Sequence, residues 1–188
     1  MVSSAVLILL LLLLLPFIFI IYSFSVYNRL KSLRNAGDAA LSQARVAMKK
    51  RLDMIEQLIE TVKSYAQFER KTLENITSMR GNIGGASTDE LAKIDKVSRR
   101  ILGNITVVAE NYPELKTSES VAATIKAIKD VEDEIARHRY TFNNIIQEFN
   151  TILDTIPSKY TGRYAGMRKK LYLDFWDEEL ERPVVSWG

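Results

Sequence analysis

The chain has no cysteine, so disulfides, thiolate metal sites, cysteine catalysis and lipid attachment through cysteine are all excluded. Its one histidine, His138, cannot supply a His-Glu-x-x-His zinc site or the two Glu-x-x-His pairs of a ferritin-like centre. No Walker motif and no Ser/His/Asp arrangement is present. Proline is scarce at four residues, none of them between Arg29 and Met79, and Gly37 is the one glycine over that stretch. A net charge of +3, without aromatic or Gly-rich recognition patterns, gives no nucleic-acid face. No enzyme activity, metal or cofactor is expected.

Charge of either sign is missing altogether from Val2 to Asn28. Ala5–Ile21 is apolar without a break, and with Val26 as its far end the segment makes roughly 33 Å of helix, enough to cross a bilayer. Tyr22 and Tyr27 stand where interfacial aromatics stand, and Arg29, Lys31 and Arg34 follow at once as headgroup contacts. The alternative is a cleaved signal peptide, with Ser23 and Ser25 near a cut. Against it count the absence of a basic leading region, the length of the run and the central Pro16. Seven basic residues between Arg29 and Arg51 face one acid, Asp38, so the positive-inside rule puts the bulk of the chain in the cytoplasm of a cell-membrane protein.

Beyond the anchor the pattern is helical throughout, with no alternation of the kind a sheet requires. Leu41, Ala44, Met48, Leu52, Ile55, Ile59, Val62, Ala66, Leu73 and Ile76 recur mostly at steps of three and four, which predicts one long helix from Arg29 to about Met79, roughly 75 Å. Gly81-Asn82-Ile83-Gly84-Gly85 ends it as a hinge; lacking a preceding strand and a Gly-Lys-Ser/Thr, it is not a phosphate loop. Ser87 and Glu90 form a capping box for a second helix, which stops before Tyr112-Pro113. A third helix starts at Thr117 or Ser118 and ends at Pro157. Ile128, Val131, Ile135, His138, Phe142, Ile145, Phe149, Ile152 and Ile156 form its a/d seam. A last amphipathic segment sets Tyr160, Tyr164, Met167, Leu171 and Phe175 on one side, with Arg163, Arg168, Lys169 and Lys170 at the rim. It either completes the bundle or docks on lipid or a partner. The acidic run Asp177–Glu181 lacks the spaced ligands of a calcium loop and belongs to a tail.

The expected architecture is therefore all-α: an N-terminal transmembrane anchor (1–28), a membrane-proximal stalk (29–51), a long-helix antiparallel bundle (52–175) and a tail (176–188). The later helices are too short to cover the stalk, and Ala36, Gly37, Ala40, Ala44 and Ala47 give it a small-residue face suited to close helix approach and self-association. Glu69 falls in the apolar stripe of the first helix and His138 in the seam of the third. Both read as polar groups that set register in the core, not as metal ligands, although Glu134 lies one turn before His138.

The blocks Leu58-Ile59-Glu60-Thr61-Val62-Lys63-Ser64-Tyr65-Ala66 and Tyr112-Pro113-Glu114-Leu115-Lys116 carry a family resemblance. Lys50-Arg51-Leu52-Asp53-Met54-Ile55, Ala136-Arg137, Phe142-Asn143 and Phe149-Asn150 add to it. In this order and spacing the chain resembles the LemA family from residue 5 to about 175. It departs from the usual family pattern at Leu41, Arg45, Glu56-Gln57 and Phe68. The resemblance implies a single-pass membrane protein with a helical-bundle domain, no established enzyme activity, and, in at least one relative, a part in membrane organisation. It also suggests a membrane zinc metalloprotease as a neighbour of such proteins. Two functions follow as expectations. One is a self-associating membrane scaffold or adaptor, and the other is a sensor that transmits a bundle change to a membrane partner. An apolar cavity near His138 and Glu69 would favour the sensor.

Overall fold

The computed structural model describes residues 4–65 and 70–174, and of residues 4–11 and 13 the backbone alone. Every described element is helical: α1 (Ser4–Val62), α2 (Arg70–Asn82), a tight 3₁₀ turn (Ile83–Gly85), α3 (Thr88–Asn111), the single turn α4 (Pro113–Lys116), α5 (Glu119–Asp154) and α6 (Ser158–Tyr164). The long helix expected to reach Met79 ends at Val62 instead, and α2 begins anew at Arg70. The reason is burial. Ile76 of α2 is sealed in one cluster with Ile55, Leu58, Ile59 and Val62 of α1, with Leu73 and Met79 packed at its edge. Arg80 pairs with Asp53 and with Glu56. A helix that ran straight on would have left those apolar side chains in water.

Among the described residues two compact units emerge, one from Ser4–Ala39 with Thr141–Tyr172, the other from Ala40–Tyr140 with Leu173 and Asp174. The second holds the larger core, in which α1 and α2 meet Ile101, Ile105 and Ala109 of α3, Leu115 of α4, and Val121 and Ile128 of α5. The two most specific sequence blocks meet at one end of it: Leu115 joins that core, and the Tyr65 and Tyr112 rings lie 5.7 Å apart between centroids. The first unit is built on Leu30 and Leu33 of α1 and Phe149 of α5, with Val26, Ile145, Ile152, Leu153 and Met167 around them.

Two termini show how local sequence sets these elements. Ser87 caps α3 as expected: its hydroxyl accepts from the Glu90 backbone N–H at 3.3 Å, and Glu90 accepts from the Ser87 backbone N–H at 2.7 Å. The Ser87 backbone N–H, then the Ser87 hydroxyl, hold the Glu90 carboxyl below the usual glutamate range. A lowered folded value means the contribution is present at neutral pH and is lost as pH falls through that value. Ser87→Ala is expected to cost about 1 kcal/mol and to move the Glu90 midpoint upward, as read by NMR titration.

The other terminus corrects an expectation. The final segment is not an amphipathic helix through residue 175. Helix α6 stops at Tyr164, Gly166 takes φ +65°, and the N–H groups of Gly166 and Met167 donate to the carbonyls of Arg163 and Gly162. This is a Schellman cap, and glycine enters its left-handed position without a steric penalty. The chain then returns beside α5, where the buried Asn150 amide donates to the Lys170 carbonyl (2.9 Å) and accepts from the Lys170 N–H (3.0 Å). Tyr160, Tyr164 and Leu171 are left exposed.

Candidate functional site: a buried charge cluster

The seam of α5 is largely as its spacing implies, with Ile128, Val131, Ile135, Phe142 and Phe149 buried. Ile146 replaces Ile145 as the most enclosed residue of its turn, and Ile156, beyond the end of α5, is 69% exposed. His138 sits at the rim of the seam, its Nε2 3.7 Å from Glu134, which also faces Lys50 at 3.7 Å. Glu69, the other polar residue expected in the core, lies outside the described residues, as do Phe175 and the tail with its acidic run. Among the described residues no group of histidine and carboxylate side chains is placed to hold a metal ion.

The polar centre of the core is elsewhere. Arg51 of α1 is completely buried and Asp95 of α3 nearly so. Arg51 Nη2 stands 2.8 Å from Asp95 Oδ1 and donates to Ser98 Oγ at 2.6 Å. The Ser98 hydroxyl in turn faces the Ile94 and Asp95 carbonyls at 2.7 and 3.0 Å. Arg99 Nε donates to Asp95 Oδ2 at 2.9 Å, and Glu132 of α5 lies 3.7 Å from Arg51 and 3.8 Å from Arg99. Two guanidiniums and two carboxylates thus join three helices. The match is incomplete: Arg51 Nε and Nη1 and Asp95 Oδ1 are buried without a hydrogen bond. Such groups keep much of their desolvation cost, so the cluster is expected to fix the alignment of α1, α3 and α5 more than to stabilise them.

In the sequence Arg51 stands at the end of the membrane-proximal run of basic residues, which hides its part in this cluster. The signal was present. Arg51 falls three residues after Met48 and four before Ile55, inside the apolar stripe, and Asp95 falls four residues after Leu91 and seven before Leu102. A charge inside each of two stripes, of opposite sign, is the mark of a buried pair.

The small-residue face has another use than the one expected. Ala40, Ala44 and Ala47 are between 0% and 3% exposed within the chain itself, as are Met48 and Leu52. A side chain on Gly37 would meet Ile146 at 3.1 Å and Ile145 at 3.6 Å. The stretch 29–51 is therefore not a bare stalk. Its alanines let other parts of this chain approach closely, and of that face Ala36 alone remains on the surface. Of the expected headgroup cations, Arg29 pairs with Glu148, Lys31 lies 5.7 Å over the Tyr27 ring, and Arg34 is exposed.

An all-α protein of long packed helices, keyed together by a buried ion cluster, is the class these features define. The LemA family profile matches residues 40–187, and the chain belongs to that family. It is 26% identical over 161 residues to Protein LemA of Metamycoplasma hominis, covering 85% of this chain and 73% of that protein. It is 20% identical over 173 residues to magnetosome protein MamQ of Magnetospirillum gryphiswaldense, covering 78% of this chain and 64% of that protein.

Proposed function

We propose that this LemA-family protein is a non-catalytic, membrane-anchored helical adaptor. The observation that carries the reading is the apolar sleeve at the start of α1. Leu12, Leu14, Leu15, Phe17–Ile21 and Phe24 are each at least half exposed, on the same helix that continues into the buried core. An uncovered apolar surface of this extent needs a bilayer or another protein against it. Among the described residues no helix is long and apolar enough to cross a membrane, and the side chains of residues 4–11 and 13 lie outside them. The reading therefore rests on the full run from Ala5, with the charged bulk of the chain in the cytoplasm.

Partners are then other membrane proteins, held by exposed helical faces; the zinc metalloprotease suggested by the family resemblance is one. Self-association through the alanine face is not retained, because that face is filled from within. A second reading, a sensor that passes a bundle rearrangement to a partner, is favoured by the Arg51–Asp95 cluster, which joins three helices and leaves buried polar atoms without a hydrogen bond.

The test is alkaline extraction of membranes holding the full-length chain, followed by mild solubilisation and identification of everything that co-elutes. Retention in the membrane and a stoichiometric second membrane protein are expected. Release by carbonate would remove the anchor from the reading, and a lone monomer would remove the adaptor.

A further inference from the structure

The chain reversal at Gly166 borders an open, shallow cavity of ≈ 400 Å³ near the end of α5, lined by Leu153, Lys159, Arg163, Met167, Arg168 and Lys169. Its charge is one-sided. Four of the lining residues are cations (Lys159, Arg163, Arg168 and Lys169) and none is an acid; Asp154 answers Lys169 at 2.7 Å, and Lys170, outside the lining, pairs with Asp38. Arg163 and Arg168 are exposed at its mouth. Its depth is also marked. Thr161 Oγ1 lies 3.3 Å from Ser23 Oγ, three residues (about 4.5 Å of helix) before Val26, where the apolar run ends. In the same stretch of chain, Tyr160, Tyr164 and Tyr172 stand exposed with Ile156 and Leu171, aromatic and apolar side chains of the kind that sit at a membrane surface.

We propose that this cavity holds the headgroup phosphate of an anionic phospholipid in the leaflet that α1 leaves. The inference rests on the membrane-anchored reading above. The guanidinium and ammonium groups in its lining suit a phosphate, the Leu153 and Met167 side chains beside them suit glycerol and the start of an acyl chain, and the exposed aromatic residues of this segment enter the interface. A free phosphate offers the same charge but nothing for the apolar and aromatic side chains. Docking here fixes the first unit to the bilayer plane at a second point besides α1.

The test uses full-length protein in a neutral detergent, titrated with phosphatidylglycerol, phosphatidylcholine or inorganic phosphate, with bound lipid read by native mass spectrometry. The wild type is expected to retain phosphatidylglycerol over phosphatidylcholine, unmoved by millimolar phosphate. Arg163→Gln/Arg168→Gln is expected to lose that preference about ten-fold or more. Lys126→Gln/Lys129→Gln, an equal charge change on exposed α5 positions, is expected to keep it. The single variant Arg168→Gln, beyond the helix cap, is expected to lose part of the preference and covers the case in which the double variant misfolds. Equal retention of both lipids by the wild type, displacement by phosphate, or equal loss in the α5 control would each overturn the proposal. Because the titration is made in detergent, its failure is distinct from release of the protein by carbonate.

Discussion

Arg51→Met, with Asp95 left in place, is expected to destabilise the second unit by about 3–5 kcal/mol, seen as lost amide-exchange protection along α3. Methionine restores most of the apolar stem of Arg51 but no charge, so Asp95 keeps its burial and loses its nearest cation. Arg99 remains on the other carboxylate oxygen, yet its side chain is 46% exposed and cannot replace a guanidinium in the core. The double variant Arg51→Met/Asp95→Leu is expected to recover most of the loss, because it removes both desolvation costs together. A single variant costing under about 1 kcal/mol would show that the cluster is not what aligns the helices. The pair also separates the two functional readings. An adaptor with a repacked core keeps its co-eluting partner, whereas a sensor that works through the buried ion cluster loses its response.

Phe149→Ala is expected to cost the first unit about 3–5 kcal/mol. Phe149 is buried in one small cluster with Leu30 and Leu33, and it is the largest side chain of the three. Neighbours that are only partly buried, such as Ile145 and Ile152, cannot all collapse into the space of a lost ring. Protection is expected to fall in residues 141–154 of α5 and in α1 around Leu30 and Leu33. Ile156→Ala, at a position the seam periodicity also selects, is expected to stay within about 0.5 kcal/mol because that side chain is mostly in water. If the two variants behaved alike, the seam would have to be drawn differently.

What the chain alone determined is what short-range physics decides. An uninterrupted apolar run, steps of three and four, a Ser-x-x-Glu box, a glycine cluster and a Tyr-Pro stop each act within a few residues, so the all-α class, the start of α3 and the hinge at Gly81–Gly85 were legible. The family blocks were legible for the same reason, being contiguous. What the tertiary structure decided depends on residues far apart in sequence. The break after Val62 is favoured because Ile76 can return to Ile55 and Leu58, a gain no local pattern contains. The alanine face reads identically whether a second chain or this chain covers it; only the packing shows that this chain does. Arg51 looks like one more membrane-proximal cation until α3, more than forty residues on, brings Asp95 to 2.8 Å in the interior. Helix periodicity places a residue on a face, but the register between helices decides whether that face meets water, lipid or an opposite charge, and burial then sets its energy.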